Sequence, residues 1–288
     1  TTIIYRIDMF EEVGITEAPK TWDEFTEVLK KLTRDTNGDG KKDVYGLAML
    51  SVPTNSTTSR AIPMLMNFGG SRELVVNPDG TYTTEINTPN AVKFFEYVYR
   101  WNFVDKVIPP GAGEIDLKAA CSMVAAGQAA CTISGPHSIG SIVAMNPDLK
   151  GKLAGMSLPT LDGSPSRTAA NLYGFSVNAK SSDEVKNAAA KYLKYLLSKD
   201  VFVPYHEISY RTPTRKDSAE AVKTSDPKMA AFVTAVENPF VRAKAPFAAE
   251  VDSAISATVN AIASGVEKDP VKAAADLEAT IKSIIEKN

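Results

Sequence analysis

Cysteine and histidine each occur only twice in these 288 residues, and two kinds of site recede with them. A zinc centre draws on about four Cys, His or acidic ligands, and His137 and His206 are too few and too far apart in the chain to anchor one. A disulfide framework is excluded. A single bridge between Cys121 and Cys131 stays open, but two buried thiols are the favoured reading, because Cys121 falls in a helical stretch and Cys131 opens a strand, where Cys behaves as a small hydrophobe. No apolar run reaches the roughly 18 residues that span a bilayer. Neither sign of charge prevails: 32 Lys and Arg stand against 34 Asp and Glu, a net charge of -2 that offers no basic field to nucleic acid or anionic lipid. G-x-S-x-G, H-E-x-x-H and phosphate-cradling Gly loops are also missing, which removes the commonest hydrolase and nucleotide signatures.

What remains is an ordinary globular composition, 44% hydrophobic, in a chain long enough for two domains or one large one. Its most specific stretch runs from Pro19 to Gly46. Thr21 and Glu24 form a capping box, and the helix they open sets Trp22, Phe25, Val28, Leu29 and Leu32 along one face. Asp35-Thr36-Asn37-Gly38-Asp39-Gly40 then has the opening of an EF-hand loop. Asp35, Asn37, Asp39 and Asp43 are oxygen donors at loop positions 1, 3, 5 and 9, and Lys41 offers a backbone carbonyl at position 7, so the stretch is a candidate structural calcium site. Gly46 stands where a bidentate Glu would close the shell, and the apolar run from Val44 to Leu50 is a strand rather than a second helix. A metal-free Asx/Gly turn explains the same residues.

Further on, the polar segment Ser51–Ser59 feeds a helix through Arg60, Ile62 and Leu65. Asn77-Pro78-Asp79-Gly80 between two short apolar runs signals a hairpin, and Thr88-Pro89 starts a helix with Phe95, Val98 and Tyr99 in the core. A helix from Leu117 leads to a strand at Ala130–Ile133 and then to Ser134-Gly135-Pro136-His137, which sets His137 at a strand's carboxyl end, where open α/β sheets bind ligands. Leu153–Leu158 and Leu172–Val177 are two more apolar strands. Helices follow, with a capping box at Ser181 and Glu184 and cap-plus-proline starts at Asp226-Pro227 and Asp269-Pro270.

The order of these pieces resembles the extracellular solute-binding proteins of family 1, the maltose-binding-like receptors of ABC importers. The resemblance rests on Ile4-Tyr5-Arg6-Ile7-Asp8-Met9-Phe10, Pro19-Lys20-Thr21-Trp22-Asp23-Glu24, the Asp-rich loop, Gly127-Gln128-Ala129-Ala130 leading to Ser134-Gly135-Pro136, the stretch Asn171–Asn178 with its following helix, and Tyr210-Arg211-Thr212-Pro213. It covers essentially the whole chain, and His137 stands where the family has a sugar-stacking Trp.

The resemblance implies a type II periplasmic-binding-protein fold of two α/β lobes joined by crossing strands, with the N-terminal lobe incomplete because family members begin with a βαβ stretch not found here. Residues 1–170 and 240–288 are expected to form the C-terminal lobe and 171–239 the mostly helical remainder of the other. It further implies a small-molecule solute, a sugar in the first instance, a membrane permease as partner, and an extracellular or periplasmic setting with a lipid anchor supplied from outside this chain. No nucleic-acid partner and no catalytic residue are expected. Candidate ligand contacts are Ser56, Thr58, Arg60, Gly135, His137, Asn171 and Tyr173. The competing reading is a secreted carbohydrate-active hydrolase, which needs two facing carboxylates about 5–9.5 Å apart; a third, a calcium-dependent docking module, would be expected to repeat the loop.

Overall fold

The computed structural model describes residues 1–169, 174–237 and 239–288. In chain order the elements are β1 (Thr2–Arg6), α1 (Ile7–Glu12), α2 (Trp22–Leu32), β2 (Tyr45–Ala48), α3 (Asn55–Asn67), β3 (Arg72–Val76), β4 (Tyr82–Glu85), α4 (Pro89–Phe103), α5 (Leu117–Ala125), β5 (Ala129–Ser134), α6 (His137–Met145) and β6 (Leu153–Met156). Then come α7 (Asp183–Leu196), α8 (Lys199–Ser209), α9 (Lys216–Ser225), α10 (Ala230–Ala235), α11 (Ala248–Ala263) and α12 (Pro270–Lys287).

A four-stranded sheet in the order β2-β5-β1-β6 is the frame. β2 runs parallel to β5, as a helical crossover requires, while β1 is antiparallel to both β5 and β6. The opening apolar run, which sequence inspection did not mark as a strand, is thus an interior one, with Ile3 and Ile4 fully buried. β3 and β4 form the expected hairpin around Asn77–Gly80.

The capping box is present in full: Thr21 Oγ1 accepts from the Glu24 amide and Glu24 Oε2 accepts from the amides of Thr21 and Lys20. With its entry fixed, α2 drives Trp22 between α3 and α4. The indole stacks on Phe68 at 4.6 Å and 10°, and its Nε1 donates to Asn67 O. Trp101 of α4 donates through Nε1 to Thr26 Oγ1 at 2.9 Å, so both buried indoles have their polar atom satisfied. Cys121 and Cys131 are free, buried thiols.

The segment after β6 departs from expectation. Gly174–Val177, the described part of the supposed third strand, is exposed and unpaired with any strand, since no described edge lies beside it. The cap of α7 is Ser182 rather than Ser181: Ser182 Oγ accepts from Val185 N, while the Ser181 amide is engaged in a turn to Asn178 O. α7 has no buried side chain; Val185, Tyr192 and Tyr195 are each more than half exposed. The chain returns through α9 and α10 to β6, where the Phe232 ring lies so close to Gly155 that a Cβ there would come within 2.2 Å of it. Departure and return are adjacent, with Phe240 N donating to Thr168 O at 2.9 Å. Among the described residues no helix is long and apolar enough to cross a membrane.

Candidate functional site

The carboxyl end of β5 gathers the polar groups that sequence reasoning singled out. β5 is buried along its whole length, so Ser134 Oγ must find a partner within the protein, and it meets Ser138 Oγ at 2.7 Å and Arg60 Nη2 at 2.9 Å. Arg60 reaches across from α3, anchored at its other fork by Ser56 O at 3.1 Å and Ser59 Oγ at 2.8 Å. Gly135 gives the turn room: a Cβ on it would stand 3.0 Å from the His137 ring. His137 is the first residue of α6, Pro136 occupies the cap position, and no side chain caps the helix, so the ring is not spent on a terminal amide.

Burial, then the charges of Arg60 and Arg211, lower the His137 pKa to about 4. At neutral pH the ring is therefore an uncharged imidazole with one donor and one acceptor nitrogen. Arg211 is brought to this end by the turn after α8. Tyr210 closes that helix in a left-handed conformation, φ 54°, with its ring against Gly140 of α6, and the Arg211 carbonyl accepts from His206 Nδ1 at 2.7 Å. Ser134, Ser138 and Arg211 were missed as site residues; the turn sequence Tyr210–Pro213 was the only hint of the last.

The remaining candidates divide. Thr58 is fully buried and its hydroxyl donates to Asp252 O at 2.6 Å, which ties α3 to α11 and turns it away from a solute. Ser56 contributes its carbonyl to Arg60. Asn171 and Tyr173 lie outside the described residues. Near the start of α11, Arg242 lies between Glu73 and Asp252; its Nε meets Glu73 at 2.6 Å, and Glu73 is only 6% exposed. The triad fastens the returning strand of chain to β3 and had no signal in the sequence, its members being far apart. A separate cavity of about 260 Å³ lies between α6 and α8, lined by Ile139, Leu153, His206, Tyr210, Asp226 and Met229, and includes neither Arg60 nor His137.

In the Asp-rich loop the side-chain oxygens fold onto the loop's own amides. Asp35 accepts from Gly38 N and Gly40 N, Asn37 from Asp39 N, Asp39 from Lys41 N, and Asp43 from Thr36 N and Oγ1. Those bonds hold the turn without a metal. No group of three or more His, Cys, Asp or Glu placed to share a metal occurs among the described residues, so a calcium here would depend on Asn37 and on backbone carbonyls such as that of Lys41 as well.

A family model described as bacterial extracellular solute-binding protein matches residues 1–231. The chain belongs to this family. Solved structures agree over almost the whole chain: maltose-bound MalE3 of T. maritima is 25% identical with a TM-score of 0.77, covering 98% of this chain and 70% of that one. The MalE domain of Bdellovibrio bacteriovorus bound to maltotriose is 25% identical at a TM-score of 0.73, over 99% of this chain and 70% of that chain. A solute-binding protein of Thermotoga lettingae bound with alpha-D-tagatose is 24% identical at 0.76, over 99% and 70%. A probable ABC transporter-binding protein of Deinococcus radiodurans is 23% identical over 194 residues, 67% of this chain and 44% of that relative, so the chain spans less than half its length. The fold is that of type II periplasmic solute-binding proteins, and the family and these structures are binding proteins rather than enzymes. The hydrolase reading is set aside on that ground.

Proposed function

We propose that this solute-binding protein serves an ABC importer, holding a sugar or oligosaccharide between two lobes and handing it unchanged to a membrane permease. The observation that carries the reading is the constellation at the end of β5: Arg60 fixed by three oxygens, Ser134 and Ser138 paired, and a neutral His137 over Gly135. A neutral imidazole and hydroxyls meet sugar hydroxyls as donor and acceptor at once, and the sugars named in the related structures support the same class. His137 gives up the ring stacking that a Trp would supply and gains directional hydrogen bonds. Closure of a second lobe over this end would be stabilised by solute contacts made to both. Residues 1–170 and 240–288 as one lobe, with 171–239 belonging to the other, is the division we propose with it.

The experiment is calorimetric titration of the full-length receptor containing this chain with a sugar panel, wild type against His137→Ala. Saturable binding without product, weakened about 10-fold or more by the substitution, supports the reading; release of a cleaved sugar would overturn it. Calcium in the Asp35–Asp43 loop is a separate proposal, resting on the donor spacing. A melting midpoint that rises with calcium and falls back with chelator supports it, and an unchanged midpoint removes it.

A further inference from the structure

Two residues beside the candidate site break a local rule, and they touch each other. Tyr210 holds a left-handed backbone, φ 54°, which among the described residues other than glycine only Lys106 shares, and which costs an L-residue stability. Gly140 has an ordinary helical backbone inside α6, where glycine stabilises less than alanine would. The contact between them accounts for both. A Cβ on Gly140 would stand 3.3 Å from Tyr210 Cδ2, so glycine gives the ring its place against the helix. The turn that aims the ring is held by three bonds. Tyr210 N donates to His206 O at 2.7 Å and Arg211 N to Ser209 Oγ at 3.2 Å. Nδ1 of His206, a residue only 3% exposed, donates to Arg211 O at 2.7 Å.

The helix on the other side of this contact carries the site. α6 opens at His137 with no side-chain cap, Ser138 is tied back to Ser134 at 2.7 Å, and Gly140 lies three residues past His137, on the same face. Beside the Tyr210 contact α6 and α8 enclose the cavity of about 260 Å³, lined by Ile139 and His206 among others, so the two helices meet closely at Gly140 and are open next to it. The side of α6 that faces α8 therefore takes its position from that contact. We propose that Tyr210 is a positioning residue of the solute site: its ring on Gly140 fixes the first turn of α6, and thereby His137 and Ser138, at the end of β5 where the solute is held. It acts through α6 and does not itself touch the solute. The proposal rests on the sugar-receptor reading above and adds to it the residue that sets the geometry of its contacts.

The test is made on the full-length receptor, by calorimetry with a sugar panel that includes maltose, maltotriose and D-tagatose, and by amide hydrogen exchange. Tyr210→Asn keeps the turn, because asparagine accepts a left-handed backbone, and removes the ring. It is expected to weaken whichever sugar the wild type binds by about 10-fold and to speed exchange of the amides at 138–142. Its melting midpoint should stay within about 3 °C of wild type, since relieved backbone strain offsets the lost ring contact. Tyr210→Phe, which keeps the ring, should bind within about 2-fold of wild type. Gly140→Ala, which presses on the ring, should weaken binding about 3-fold alone and have no further effect beside Tyr210→Asn. A Tyr210→Asn receptor that binds like wild type overturns the assignment. Loss of affinity without faster exchange at 138–142 overturns it too, since the ring would then act on the solute directly. Failure of every sugar to bind the wild type overturns the sugar reading, and the exchange rates then decide the positioning by themselves, faster rates upholding it and unchanged rates ending it.

Discussion

Replacing Arg242 by Met removes one guanidinium from between Glu73 and Asp252 while preserving most of its apolar stem. Glu73 is 6% exposed and Asp252 16%, so both carboxylates are largely shielded from water, whereas Arg242 itself is 26% exposed. Breaking a fully buried pair by removing one partner costs about 3–5 kcal/mol. Water reaching the arginine end should reduce that by about a third to a half, which leaves an expected loss of about 2–3 kcal/mol. For a protein of this size that lowers the melting midpoint by about 4–10 °C. Because the triad joins the 240–247 segment to β3, the loss should appear as a lower urea midpoint with an unchanged slope. Glu73→Gln in the Arg242→Met background should then restore part of the stability, since the uncompensated charge is the source of the cost. A single-variant loss under about 0.5 kcal/mol, or strict additivity in the double variant, would refute the idea that the triad is a coupled unit.

Four further outcomes follow from other parts of the molecule. His137 has a folded pKa of about 4 against about 6.5 in an unfolded chain, so below 6.5 the unfolded state takes a proton that the folded state refuses, and stability declines as pH falls from 6.5 through 4. After allowing for its partial exposure the decline is about 2–3 kcal/mol, and His137→Asn should remove it from urea midpoints compared at pH 7 and pH 4.5. Gly155→Val should destabilise by about 1–3 kcal/mol through collision with Phe232, and Phe232→Leu should relieve it; an unaltered melting curve for Gly155→Val would contradict the packing of α10 on β6. Burial raises the pKa of both thiols, and Cys131 Sγ donates to Gly46 O at 3.1 Å, so native protein should react with a disulfide reagent far more slowly than protein in urea. Asp43→Ala should loosen the Asp-rich turn by freeing Thr36 N and Oγ1, visible as faster amide exchange confined to that loop.

Much of the architecture was readable where a feature closes within a few residues. Thr21 and Glu24 are three apart, Asn77–Gly80 turns on itself, and Asp269-Pro270 starts α12, so chain-local chemistry was enough. Ser181 failed as a cap by one residue because Ser182, equally suitable, was next in line. β1 escaped notice because its character is set by Ser134 and Met156, far along the chain, rather than by its own five residues. The same distance hid the Arg242 triad and the Thr58 bond to Asp252, both of which exist only after folding. At the candidate site, Gly135 and His137 announced themselves by following an apolar strand, and the Ser134–Ser138 pair, four residues apart, closes in the same turn, whereas the arrival of Arg211 depends on the end of α8 packing on α6.

The antiparallel insertion of β1 between β5 and β6 has a consequence for biogenesis. Thr2 must find Ser134, and Ile3 must find Met156, across loops of roughly 130 to 150 residues, so the frame cannot close until β6 has left the ribosome. Until then Ile3 and Ile4 present a sticky, unpaired edge. A nascent chain of this kind gains from being kept extended until β6 is free, and premature collapse, rather than slow helix formation, is the hazard that such a strand order sets.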